Sequence, residues 1–213
     1  TAAVLDTKPL ASSAAVSNSP VGPYPIVASG GIDNNYAIVY VQGTLTVTKA
    51  NVTAIAVDAN KVYGSANPVF TLNYTGFVNG ENSSVLDTAP TTSTLATLTS
   101  SVGTYPITIS GGSDNNYTFS YTSGTLTITK ATVTATASDA SRVYGVANPT
   151  FAITYSGFVL GENFSVLNVL PVATSPANLT SNVGTYPINV SGGSDNNYSF
   201  IYEGANLTIS KAT

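Results

Sequence analysis

Asp33, Asp114 and Asp195 recur at intervals of 81 residues, each inside the same loop, Gly-Gly-x-Asp-Asn-Asn-Tyr. Carboxylate and carboxamide oxygens beside flexible glycines are the raw material of a calcium loop. Calcium, however, takes about six to eight oxygens, usually with several carboxylates, and each loop offers one. Asp, Asn and Gly also tolerate left-handed backbone and build tight turns. A turn is therefore the stronger expectation for these loops, with calcium at Asp33, Asp114 and Asp195 as the weaker one.

Lys49, Lys130 and Lys211 recur at the same spacing, and Glu81 and Glu162 are a second repeated pair. Lys, Asn and a neighbouring acid are the ingredients of a Lys–Asn isopeptide cross-link. Each Lys also follows the last apolar position of its copy, where a solvated side chain is expected. Lys61 becomes Arg142 in the next copy, so no cross-link there belongs to a common design. Tyr63, Tyr144, Tyr105 and Tyr186 carry aromatic faces suited to stacking on sugar rings. Tyrosine is also a good strand residue with a polar tip, and packing at the core or its rim is the stronger expectation. Asn-x-Ser/Thr sites are frequent, as chance dictates in a chain this rich in Asn, Ser and Thr. Enzymatic constellations are missing: the chain has no His and no Cys, and its carboxylates are too sparse for an obvious acid–base pair. The expectation is a protein that is not an enzyme and needs no cofactor.

The elements that position these residues follow from the repeat. Residues 51–131 and 132–213 are two copies of one 81-residue unit, and residues 1–50 match its later part. Self-similarity at a fixed period marks a tandem architecture. In the copies, Val52, Ala54 and Ala56 alternate with other residues, as do Val133, Ala135 and Ala137. The same period of two runs through Phe70, Leu72 and Tyr74, through Tyr105, Ile107 and Ile109, and through Tyr117, Phe119 and Tyr121. Such alternation signals half-buried strands. Tyr117–Tyr121 followed by Leu126 and Ile128 reads as a β-hairpin around Gly124. One short helical turn fits over residues 80–86, with Asn79 as its cap and Pro90 ending the segment. Leu126 and Ile128 are even-numbered whereas Val133 and Ala135 are odd, so the alternation must slip at Lys130-Ala131-Thr132, where the module boundary is placed. The expected fold is all-β: small β-sandwich or β-grasp-like modules of 81 residues in an elongated array. Val133, Ala135, Tyr144, Phe151, Tyr155, Phe158, Ile188, Tyr198, Phe200, Leu207 and Ile209 are its expected packing residues, and Gly145, Gly157, Gly192 and Gly193 its turn formers.

Composition narrows the function. Of 213 residues only 8% are charged, the net charge is −4 and the pI is about 4.4. Nucleic acid and anionic membranes demand basic patches, so neither is an expected partner. No apolar run approaches the ~20 residues of a membrane span. A polar chain without cysteine suits a secreted protein whose fold ignores redox state.

The segments Thr-Lys-Ala, Val-Tyr-Gly (62–64 and 143–145), Gly-Phe-Val-x-Gly-Glu (76–81 and 157–162) and Gly-Thr-Tyr-Pro (103–106 and 184–187) together resemble the MBG repeats, YGX type, of large bacterial surface proteins. The resemblance covers nearly the whole chain. Val21-Gly22-Pro23-Tyr24-Pro25 departs from Gly-Thr-Tyr-Pro by a proline at a strand entrance. It implies tandem extracellular modules of adhesin-like proteins without catalytic activity, in a β-grasp-like or immunoglobulin-like topology. Its defining residues would then be structural: Tyr63, Gly64, Tyr144, Gly145, Phe77, Phe158, Tyr105, Tyr186, Tyr117 and Tyr198. The expected role is a cell-surface stalk or filament that extends and bears load; the rival is a module that binds glycans or proteins by multivalency. The expected partners are other copies of the repeat. In the alignment Thr1 matches Asn82 and Thr213 matches Thr132, so residues 1–50 lack equivalents of 51–81. That fits a window cut from a longer array, the favoured reading, or strand addition from a neighbouring subunit.

Overall fold

The computed structural model describes residues 4–212, so Thr1 and Thr213 lie outside the described residues. The chain is built almost entirely of β-strands. Those of residues 1–49 are β1 (Leu10–Ser13), β2 (Gly22–Ser29) and β3 (Gly43–Val47). The middle copy holds β4 (Ala50–Ala56), β5 (Ala59–Val62), β6 (Leu72–Thr75), β7 (Thr88–Ser93), β8 (Gly103–Ser113), β9 (Tyr117–Thr122) and β10 (Gly124–Thr129). The last copy repeats them as β11 (Ala131–Ala137), β12 (Ala140–Val143), β13 (Ile153–Ser156), β14 (Val169–Thr174), β15 (Gly184–Ser194), β16 (Tyr198–Glu203) and β17 (Ala205–Ser210).

The chain divides into two compact units that cut across the copies. The first comprises Thr1–Val57, Phe70–Ser93 and Ile107–Gly124; the second comprises Asp58–Val69, Thr94–Pro106 and Thr125–Thr213. In the first unit β1-β2-β3 form an antiparallel sheet, β4 lies between β6 and β9, and β7 pairs with the second half of β8. In the second, β5 runs parallel to β10, and the last copy makes two sheets, β13-β11-β16 and β12-β17-β15-β14. Ala135 and Ala137 of one sheet meet Ile188, Val190, Leu207 and Ile209 of the other, with Ala177 closing the cluster. Alanine on one face lets the sheets approach closely, and each fully buried Leu or Ile contributes about 1.5–3 kcal/mol.

Alternation of side chains along these strands is what the Thr-rich pattern dictates. In β10, Gly124, Leu126 and Ile128 are buried; in β11, Ala131, Val133, Ala135 and Ala137 are. Burial thus passes from even to odd positions at Lys130, the one residue between the strands.

Three expectations are corrected. Tyr117–Tyr121 and Leu126–Ile128 do not form a hairpin. Instead β9 runs parallel to β4, β10 runs parallel to β5, and β16 and β17 likewise join β11 and β12. Only Ser123 separates β9 from β10, too little chain for a two-residue hairpin turn, so the chain crosses between sheets there. The helical turns are one-turn 3-10 segments, Ser83–Val85 and Phe164–Val166, capped by Asn82 and Asn163 rather than Asn79. Asn79 and its equivalent Leu160 take left-handed backbone, φ +56° and +59°, one turn earlier. Pro90 and Pro171 do not end a segment but sit inside β7 and β14, opposite Gly111 and Gly192. Each of these strands ends its ladder, where proline's missing N–H is tolerated.

Candidate functional site

The recurring polar residues converge on the joints between consecutive copies. Asp195 Oδ1 accepts from the backbone N–H groups of Asn197 (2.7 Å) and Tyr198 (3.0 Å), and Oδ2 accepts from Asn168 N–H at 3.3 Å. Asp114 does the same with Asn116, Tyr117 and Asp87, at 2.7, 3.0 and 3.3 Å. Asp33 Oδ1 accepts from Asn35 and Tyr36. These are Asx turns, the local chemistry that Asp brings to a loop. The backbone oxygen of the same aspartate is also taken: Lys130 Nζ donates to Asp195 O, and Lys49 Nζ to Asp114 O, both at 2.7 Å. A cation at Asp114 or Asp195 would compete with three N–H donors and an ammonium. Among the described residues no three His, Cys, Asp or Glu side chains gather as a metal site would need.

Each loop also grips the copy before it. Asn197 Oδ1 accepts from Val102 N–H at 3.0 Å, and Asn197 O accepts from Ala131 N–H at 2.9 Å. Asn116 repeats both contacts, with Val21 N–H and Ala50 N–H, each at 3.0 Å. Lysine, the Asp turn and the second Asn therefore form one bolt, made once in each compact unit.

In the second unit a tyrosine plug completes the joint. Tyr63 is buried, and its hydroxyl donates to Glu162 Oε1 at 2.9 Å, while Tyr198 donates to Glu162 Oε2. The Tyr63 ring stands edge-on to Tyr198 with centroids 5.6 Å apart, and Phe158 stands edge-on to Tyr198 at 5.1 Å. Gly64 has φ +79°, and a Cβ there would come within 2.4 Å of Val159 Cγ2. Burial, followed by the Glu162 carboxylate, pushes the Tyr198 hydroxyl up to about 12 and raises Tyr63 as well. In the first unit Tyr117 donates to Glu81 and meets Phe77 edge-on at 5.2 Å. Hydrogen bonds to a carboxylate are about twice as strong as neutral ones.

The MBG domain (YGX type) family model matches the chain three times, over residues 1–46, 51–127 and 132–208. The chain belongs to this family. No curated protein matches it. The Tyr-Gly-x of the MBG repeat is, at Tyr63-Gly64-Ser65, the plug of the joint. The Gly-Phe-Val-x-Gly-Glu stretch of the next MBG repeat is its socket. Tyr144, at the plug position of the last MBG repeat, is 44% exposed, against the packing expected of it. Tyr105 and Tyr186 lie half-buried and turn back onto their own chain, donating to Ser101 O and Asn182 O at 3.0 Å. Gly145 (φ +81°), Gly192 (+74°), Gly193 (+80°) and Gly157 (+92°) all hold left-handed turns.

Two roles were missed in the sequence. Glu81 and Glu162 were assigned to a helical turn or a cross-link, yet they accept tyrosine protons; the signal was their constant spacing from Tyr117 and Tyr198. Lys61 and Arg142 are buried cations. Lys61 Nζ donates to Ser65 O (3.0 Å) and Thr97 O (2.6 Å); Arg142 donates to Asn148 Oδ1 (2.7 Å) and to Asn178 O. Each pins a later loop to the Tyr-Gly turn, and desolvation lowers the Lys61 pKa. No helix among the described residues is long and apolar enough to cross a membrane.

Proposed function

We propose that this chain is a structural segment of an extracellular, cell-surface protein of adhesin-like type, made of modules with borders at residues 51 and 132, that extends and bears load without catalysis. The observation that carries this reading is the parallel pairing of first and last strands in the last copy. β11 runs parallel to β16, and β12 runs parallel to β17 from Ala140↔Leu207 to Val143↔Ser210. Tension applied at the two ends of such a copy pulls parallel strands in shear, so several hydrogen bonds must break together. An antiparallel pair pulled at its open end unzips one bond at a time.

The partners in this reading are successive copies, bolted as at Asn197 and plugged as at Tyr63. No cofactor takes part, since the aspartate oxygens are already spent on the turn. Single-molecule pulling tests it. Force applied between residues 131 and 210 should exceed, several-fold, the force applied between residues 174 and 189, which peels the antiparallel β14–β15 pair. Equal forces in the two directions would remove the mechanical argument.

A second reading, a glycan- or protein-binding module, is favoured by one observation. Tyr155 and Phe164 stack with centroids 5.9 Å apart beside an open groove that includes Phe158, and Phe164 is largely exposed. The middle copy has Ser83 at that position. Glycan-array binding lost on Phe164→Ala would favour it over the stalk.

A further inference from the structure

Residues 4–49 present three vacancies that are filled in the later copies. The first is an edge. Tyr36–Val41 pairs with no strand among the described residues, and Tyr36, Val39 and Val41 are 62%, 86% and 86% exposed. Its equivalents β9 and β16 pair in parallel with β4 and β11, and Tyr117 and Tyr198 are buried. The second is the free side of β3. That strand pairs only with β2, and Leu45 is exposed, whereas β10 and β17 carry β5 and β12 there and Leu126 and Leu207 are fully buried. The third is a cavity of about 150 Å³ in the first unit, lined among others by Val21, Val47, Val78, Glu81, Asn116 and Tyr117. Its counterpart in the second unit is the socket that Tyr63 fills.

One continuous segment matches all three. We propose that residues 4–49, with Val78, Glu81 and Tyr117, form an acceptor for the opening segment of another copy of this repeat, of the pattern Ala131–Gly145, which enters as two parallel strands and a tyrosine plug. The proposal rests on reading the copies as interchangeable building blocks. The register comes from the last copy. There Ala131, Val133 and Ala135 lie opposite Tyr198, Phe200 and Tyr202, which places them opposite Tyr36, Ile38 and Tyr40. Ala140 and Arg142 lie opposite Leu207 and Ile209, which places them opposite Leu45 and Val47. The tyrosine then reaches Glu81 and Tyr117 as Tyr63 reaches Glu162 and Tyr198. Main-chain pairing supplies affinity and the alternate apolar side chains supply specificity, as in other strand additions. The donor is itself uncharged but for one Asp and one Arg, so the recognition is apolar and hydrogen-bonded.

The test uses the whole chain and a labelled synthetic peptide of residues 131–146. Anisotropy should show saturable binding, and hydrogen exchange should slow at Tyr36–Val41 and Gly43–Val47. A peptide carrying Tyr144→Ala should bind roughly tenfold more weakly, having lost a charge-assisted bond and an aromatic contact. One carrying Val133→Asp and Ala135→Asp should not bind. Absence of binding, binding without protection at those two segments, or equal affinity of the scrambled peptide would each overturn the proposal. The pulling experiment on the last copy is independent of this outcome, so failure of the acceptor leaves the mechanical reading standing, and the reverse.

Discussion

Tyr63 and Tyr144 occupy one position in successive copies, yet Tyr63 is 5% exposed and Tyr144 44%. The difference is the presence or absence of a socket, so their substitutions should diverge. Tyr63→Ala should cost about 3 kcal/mol, as buried aromatic truncations do, and Tyr144→Ala should stay within about 0.5 kcal/mol, as exposed changes do. Urea midpoints of the two variants check this. Titration at the same joint gives a second expectation. A phenolate beside the Glu162 carboxylate is disfavoured, so folded Tyr198 keeps its proton up to about 12, above its ordinary value of 10.0. The folded state then binds more protons than the unfolded one across that interval. This stabilisation is fully present below pH 10 and is lost as pH rises towards 12. Tyr198→Phe should shallow that alkaline decline in melting temperature, leaving the part due to Tyr63. Lys61 acts in the opposite sense, because burial lowers its pKa and its neutral form suits the folded state better.

At the scale of elements, the crossing from β9 to β10 and the turn after β13 decide the topology. Gly157 closes that turn with φ +92°, and a Cβ there would lie 2.5 Å from Thr132 O on β11. Gly76 meets Asn51 O at 2.4 Å in the same way in the middle copy. Gly157→Ala should therefore destabilise by about 2–3 kcal/mol through combined strain and clash. Gly145 also has a left-handed φ, +81°, but nothing within 4 Å of its Cβ position. Gly145→Ala should cost only the backbone strain, about 1 kcal/mol. Circular-dichroism denaturation of the pair separates close approach from conformation.

For the whole molecule, the compact units do not coincide with the copies, so a copy depends on groups its neighbours supply. Asn197 takes Val102 N–H, and Glu162 takes the Tyr63 proton, both from the preceding copy. Residues 132–212 produced alone should melt several degrees below the same residues in the full chain, in the manner of repeat proteins stabilised by their neighbour interfaces. Hydrogen exchange at Tyr198 and its flanks would report the loss. Calcium is a second test at this scale. With the aspartate oxygens engaged, the melting temperature should be the same in millimolar calcium and in chelator, and a rise with calcium would restore the loops as cation sites.

The sequence by itself determined the 81-residue period, the all-β class, the alternation that selects Val133, Ala135, Ile188, Leu207 and Ile209 for burial, and the change of parity at Lys130. These are local properties: a side chain's face follows from its place in a period of two. Partner choice was decided only in three dimensions. Tyr117–Tyr121 and Leu126–Ile128 alternate as a hairpin would, yet each joins a strand some 65 residues away, because nothing in a strand's own pattern states which edge it will meet. The same holds for the joint. Glu162, Tyr63 and Asn197 were visible as recurring residues, but their meeting depends on how one copy's turn falls against the next copy's loop, which only the packing of the copies specifies.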